Sequence, residues 1–153
     1  MLAGAVITVA LTSTTARRPL APNLPQRVLQ PPAITLASLH GQVAIVSFWA
    51  SWCGPCNREA PQLARLAREL RGRATLVGVD FSDARSSALA FIRRHRWRFP
   101  VLADENGIAG NDYGLLGLPT TFLLDRRGRI VQRLPGPQTA RSLLAAASSV
   151  GAE

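Results

Sequence analysis

The sequence predicts an α/β fold, a central mixed β-sheet flanked by helices on both faces, and three observations predict it. Apolar runs at 43–50, 74–79 and 99–102 alternate with two stretches of helical periodicity, 53–71 and 86–97, which is the order of parallel strands joined by helical crossovers. Two later runs, 120–124 and 129–134, flank Asp125-Arg126-Arg127-Gly128, a four-residue turn with Gly last that suits an antiparallel hairpin. The 153 residues, 47% of them apolar, suffice for a sizeable core without staples.

The elements follow in chain order. Leu2 to Leu11 is an apolar run broken only by Thr8. Ten helical residues cover roughly 15 Å, about half a bilayer's hydrocarbon core, so the run is short for a span and matches a signal-peptide apolar region. Thr14-Thr15-Ala16 resembles a small-residue cleavage site, whereas the basic pair Arg17-Arg18 follows the run instead of preceding it. Residues 1–18 are therefore read as the remnant of a signal or anchor, with a cytosolic leader as the alternative. Residues 19–33 hold five prolines (Pro19, Pro22, Pro25, Pro31 and Pro32) and are expected to form an extended lead-in. The folded domain is assigned to 34–151.

Within that domain Ile34-Thr35-Leu36 alternates like a short strand, and Ser38-Leu39-His40-Gly41 reads as a turn before the main strand at 43–50. The helix over 53–71 carries Ala60, Leu63, Leu66, Ala67 and Leu70 at helical spacing, with Gly72 closing it and Pro61 predicting a kink. A strand at 74–79 leads to the helix over 86–97, whose buried side is Leu89, Phe91 and Ile92. After the strand at 99–102 and a loop comes the hairpin. A final helix spans 137–150, opened by Pro137 and ended by Gly151.

The chemistry concentrates in Trp52-Cys53-Gly54-Pro55-Cys56, which holds the only two cysteines of the chain. It sits where the main strand ends and the helix begins, at the C-terminal end of a central strand, where open α/β sheets place their sites. A C-x-x-C in that context is a disulfide-exchange signature. The turn brings the sulfurs within bridging distance, and the helix N-terminus puts partial positive charge beside Cys53, favouring its thiolate. Cys53 is thus the nucleophile that forms a mixed disulfide, and Cys56, one turn deeper, attacks to resolve it. Gly54 permits the turn, Pro55 restricts it, and Trp52 stands beside the reactive sulfur for docking. Structural zinc requires about four ligands, and His40 and His95 lack useful spacing. Haem attachment requires His after the second Cys, where Asn57 stands. No metal or organic cofactor is expected.

Glu59, three residues after Cys56, shares a helix face with it. It either exchanges a proton with the deeper thiol or is an ordinary acidic residue near a helix start, stabilised by the dipole or by an Arg. Pro119 opens the strand after Leu118 and is either cis, leaving the Leu118 backbone to pair with an extended substrate chain, or an ordinary strand-opening proline. Trp49 reads as core, Ser47 shares its strand face without an assigned role, and Asp80, Asp83, Asp104 and Glu105 read as turn or capping residues in loops. All eighteen basic residues are Arg, and the net charge is +9. The cluster Arg93-Arg94-His95-Arg96-Trp97-Arg98 lacks any accompanying nucleic-acid-binding module, so it reads as a solvated helix face. Acidic or membrane-surface partners are favoured over basic ones.

The stretches Phe48–Leu63 (FWASWCGPCNREAPQL), Phe99–Gly107 (FPVLADENG) and Tyr113–Val131 (YGLLGLPTTFLLDRRGRIV), with Ala21–Leu24 (APNL), resemble the thioredoxin superfamily. Within it they resemble the TlpA/ResA/DsbE-like branch of extracytoplasmic thiol–disulfide oxidoreductases. The resemblance covers roughly residues 20–150. It implies a thioredoxin-like fold, with Cys53 as exposed nucleophile, Cys56 as resolving cysteine, Glu59 as the glutamate this branch carries after C-x-x-C, and Pro119 as the cis-proline facing the disulfide. It also implies that 81–101 holds the branch's extra αβ insertion. Members are typically tethered outside the cytoplasmic membrane; many reduce apocytochromes c and some relatives are oxidants. Two departures stand out: Ser47 occupies a position that is often acidic or amide, and 24–34 is unlike the usual β-hairpin. The expected function is disulfide exchange with protein thiols by a monomer supplied with electrons by a redox partner protein, bound to no nucleic acid, with membrane anchoring or secretion as the expected placement and the cytoplasm as the alternative. A cytosolic thioredoxin-like reductant and a redox-inactive binding module are the alternatives.

Overall fold

The computed structural model describes residues 18–151. The apolar run at 2–11 and the small-residue site at 14–16, on which the export or anchoring expectation rests, lie outside the described residues. Six strands form one mixed sheet: β1 (Arg27–Gln30), β2 (Ala44–Trp49), β3 (Thr75–Phe81), β4 (Val101–Asp104), β5 (Thr120–Leu124) and β6 (Ile130–Pro135). They lie in the order β1-β4-β3-β2-β5-β6. The β2–β3 and β3–β4 pairs are parallel, while β1–β4, β2–β5 and β5–β6 are antiparallel. Every residue of β2 is buried, which is why this strand reads as an unbroken apolar run.

Helices α1 (Gly54–Leu70), α2 (Arg85–Arg94) and α4 (Ala140–Gly151) cover one face of the sheet. Their buried residues Leu63, Leu66, Phe91, Ile92 and Leu143 join Ile45, Trp49, Leu76 and Leu123 in one core. The other face, with Val46, Phe48, Val77 and Phe122, is covered by Ala21, Leu24, Leu36, Leu39, Tyr113 and Ala109 of the short α3 (Ile108–Asp112). Helix therefore lies on both faces, but unequally. Two successive right-handed crossovers, β2–α1–β3 and β3–α2–β4, step in the same direction along the sheet and so deposit α1 and α2 on the same side.

Four elements differ from the sequence reading. The strand expected at Ile34–Leu36 is absent. The Ser38 and Thr35 side chains satisfy each other's backbone N–H groups at 3.1 and 3.0 Å, a local closure that competes with strand pairing, and a 3₁₀ turn follows at Ala37–Leu39. The first strand comes instead from the proline-rich lead-in. β1 adds antiparallel to β4, and the Gln30 amide donates to Phe99 O at 2.7 Å and Trp97 O at 3.0 Å. Helix α2 stops at Arg94 because Arg96 turns left-handed (φ 53°). That turn buries the Trp97 indole, whose N–H donates to Ala60 O of α1 at 3.0 Å. Helix α4 starts at Ala140, three residues after Pro137, because the N–H groups of Gln138 and Ala140 go to the side chains of Glu59 and Gln62.

Candidate active site

Helix α1 begins at the redox motif. Cys53 is its N-cap, with extended backbone (φ −86°, ψ 110°), and the Cys56 N–H donates to its Sγ at 3.1 Å. The two cysteines form a disulfide, Sγ–Sγ 2.16 Å and Cα–Cα 5.2 Å. In the reduced protein the same N–H and the helix N-terminus stabilise negative charge on Cys53. The loop before it is held from three directions. The Asn57 side-chain amide donates to Cys53 O (3.1 Å) and Ser51 O (3.4 Å), and the Asn57 carbonyl oxygen lies 3.4 Å from His95 Nε2. The Ser51 N–H donates to Asp83 Oδ2 at 2.7 Å, and the Trp52 indole N–H donates to Ser82 O at 3.2 Å.

Cys53 lines a groove of about 480 Å³ with Trp52, Gly54, Pro55, Phe81 and Leu115–Leu118. Trp52 is 61% exposed and Leu116 94% exposed, so the walls are apolar and open to a partner. Cys53 at their base is only 5% exposed. It is not the exposed sulfur the resemblance implies, because the N-cap turn of α1 holds it inward in the disulfide. Cys56 does not reach the groove. The structure thus brings Trp52, Cys53, Gly54, Pro55 and Leu118 together. Cys56 and Glu59 are buried on α1 and do not line the groove. The Leu118–Pro119 bond is cis, but Pro119 is itself buried and adjoins the groove only through Leu118.

Glu59 is 1% exposed, and its Oε1 accepts the Gln138 N–H at 2.9 Å while Oε2 has no partner. No Arg pairs with it among the described residues. Burial pushes its carboxyl up to about 7, against a smaller opposing effect of the Gln138 bond. This is not a solvated acid at a helix start; it is a buried carboxyl poised near neutrality. Ser47 is buried between Gly78 and Thr121 on the neighbouring strands, with Oγ unpartnered.

The acidic loop residues resolve unequally. Asp83 performs capping duty, accepting from Ser51 and Ala84 N–H. Asp104 lies in β4 rather than a loop and caps α3 from there, accepting from Ala109 N–H at 3.0 Å and Gly110 N–H at 2.8 Å. Glu105 pairs with Arg27 at 3.0 Å. Asp80 departs from expectation entirely. It lies inside β3 beside Trp49, 2% exposed and with Oδ1 unpartnered, and burial together with Asp83 pushes it up to about 8. The apolar run at 74–79 continues through it, so the one available signal was a strand two residues longer than its apolar letters. Phe81, a groove wall, was missed for the same reason.

Residues 20–133 match the profile of the AhpC/TSA family. The chain belongs to this family. Among its relatives, thiol-disulfide oxidoreductase ResA of Bacillus thuringiensis subsp. konkukian is 30% identical over 124 residues, 80% of this chain and 72% of the relative. A thiol:disulfide interchange protein DsbE homolog of Paracoccus denitrificans is 43% identical over 96 residues, 62% of this chain and 51% of the relative. The solved thiol:disulfide interchange protein of the thioredoxin family from Chlorobium tepidum TLS superposes with a TM-score of 0.78 at 26% identity, covering 89% of this chain and 98% of that one. The AhpC/TSA-family protein described here is a thiol–disulfide oxidoreductase with a thioredoxin-like fold, and Cys53–Cys56 is its only cysteine pair.

Proposed function

We propose that this oxidoreductase exchanges disulfides with cysteines of protein substrates outside the cytoplasmic membrane, with Cys53 as attacking and Cys56 as resolving sulfur. One observation carries the assignment of roles: Cys53 lines the open apolar groove while Cys56 lies behind it, one helical turn in. In the reducing direction the Cys53 thiolate attacks one sulfur of a substrate disulfide. The Cys53–substrate bond forms, the substrate S–S bond breaks, and the departing thiolate takes a proton. Cys56 then loses its proton to Glu59 and attacks Cys53 Sγ. The Cys53–Cys56 disulfide forms, the second substrate thiolate leaves, and the substrate has gained two electrons. A carboxyl at about 7 can accept that proton and return it in the opposite direction. Trp52, Gly54, Pro55 and Leu118 form the surface on which the substrate chain lies, and the buried Pro119 fixes the backbone behind Leu118. A redox partner protein resets the dithiol.

The extracytoplasmic placement is supported by the apolar run Leu2–Leu11, of signal-region length. Among the described residues no helix is long and apolar enough to cross a membrane. Apocytochrome c cysteines are the substrate class that the resemblance to the TlpA/ResA/DsbE-like branch implies, and a groove lined within one chain supports action as a monomer. Direction is set by the reduction potential, where about 30 mV corresponds to roughly 1.4 kcal/mol, and a redox titration against glutathione measures it. Two variants test the roles. Cys53→Ser abolishes insulin reduction and the refolding of a scrambled disulfide protein, whereas Cys56→Ser accumulates mixed disulfides with substrate. Equal behaviour of the two variants would refute the assignment, and a wild-type protein inert in both assays would indicate a binding module instead.

A further inference from the structure

Behind the redox loop lies a second carboxyl that the exchange chemistry above does not use. Asp80 ends the buried part of β3, with Trp49 of β2 on one side and Ala103 of β4 on the other. Its carboxyl is within hydrogen-bonding reach of the Asp83 side chain. Two carboxylates are both acceptors, so that contact exists only when one of them carries a proton. Asp83 is the partner already committed as an acceptor, to the Ser51 N–H (2.7 Å) through one oxygen and the Ala84 N–H (2.8 Å) through the other. The proton therefore belongs on Asp80. Ser51 stands two residues before Cys53, and between them Trp52 is tied to Ser82, the residue before Asp83, which holds a left-handed backbone (φ 49°).

We propose that Asp80 is a positioning residue for disulfide exchange: its protonated carboxyl donates to Asp83, which holds the Ser51 amide and so sets the loop presenting Trp52 and Cys53. This rests on the reading of Cys53 as the attacking sulfur. The groups facing Asp80 all oppose its ionisation. Asp83 approaches from the β3–α2 loop, Asp104 from β4, and Glu105 from just beyond β4. Asp104 is spent on α3 and Glu105 on Arg27 of β1, while β2 contributes only the neutral Trp49. Burial is the largest effect in the same direction, and together they place the ionisation of Asp80 at about 8. When Asp80 ionises, two adjacent negative charges lose their shared proton and repel. The clasp on Ser51 then loosens, and with it the loop that presents Cys53.

The test is the pH dependence with which the reduced protein attacks the aromatic disulfide DTNB, expressed per Cys53 thiolate. Wild type should show a fall in this rate constant centred near pH 8. Asp80→Asn keeps a donor for Asp83 but cannot ionise, and should lose that step. A purely structural role would lower the melting temperature of D80N and leave the step in place, and superimposable wild-type and D80N profiles overturn the proposal. Should D80N fail to fold, Asp83→Asn serves as the second probe. Removing the neighbouring charge should shift the step to lower pH, and a step that stays at its wild-type position overturns the proposal. Failure of the underlying site reading would register separately, as a Cys53→Ser protein that attacks DTNB as fast as wild type.

Discussion

Glu59 shows at the residue scale how a common side chain acquires an uncommon property. Its spacing from Cys56 was legible in the sequence, but its ionisation was not, because the desolvation that raises it comes from residues distant along the chain. Gln138, 79 positions away, supplies its one hydrogen bond. The folded protein holds a proton on Glu59 up to about pH 7, where the unfolded chain has already lost it at the ordinary carboxylate value of 4.5. The folded state thus binds more protons across that window. The Glu59 contribution to stability is greatest below the unfolded value and declines as pH rises to about 7, beyond which it is level. Glu59→Gln should flatten that part of the curve, measured as urea midpoint against pH. The same variant should slow resolution of the mixed disulfide near neutrality, on the order of a hundredfold, and remove a titration near 7 from its pH profile. An unchanged profile would return Glu59 to a structural role.

The elements were legible where their residues repeat and obscure where they are short or borrowed from elsewhere. Helix α1 could be read from Leu63, Leu66 and Leu70, and the β5–β6 hairpin from Asp125 and Gly128, whose turn the structure closes with the Gly128 N–H on Asp125 O at 2.9 Å. Strand β1 could not be read, since an edge strand among prolines exists only because β4 offers it a ladder. Helix α3 has five residues and starts where Asp104 reaches two of its amides. Asp104→Ala should strip those two amides of their acceptor, at a cost of about 1–3 kcal/mol for each left unsatisfied. Faster hydrogen exchange at Ala109 and Gly110 would report it. α3 also braces the groove. A Cβ added at Gly110 would stand 2.6 Å from Phe81 Cε2 and 2.7 Å from Cδ2, so the ring must move. Gly110→Ala should therefore cost about 1–3 kcal/mol by overpacking and raise KM for a protein disulfide, because Phe81 is a wall of the groove. Unaltered KM would separate α3 from substrate binding.

On the scale of the whole molecule, charge and layering set how partners approach. A net charge of +9 carried entirely by Arg attracts acidic chains over roughly a Debye length, about 10 Å at 0.1 M salt. Exchange with a disulfide peptide flanked by acidic residues should slow as ionic strength rises. A neutral peptide should show little change and a basic one should accelerate; identical salt dependence for all three would remove charge from substrate choice. Local sequence by itself determined the α/β class, the order of the main elements and the position of the dithiol at the end of β2. These follow from periodicity and turn chemistry, both of which act within a few residues. Tertiary structure alone decided that three of the helices share one face, that the proline-rich lead-in supplies an edge strand, and that Phe81 walls the groove. It also decided that Glu59 and Asp80 are buried carboxyls that hold protons near neutrality. Burial and carboxyl–carboxyl proximity are properties of the space between segments, and no local pattern encodes them.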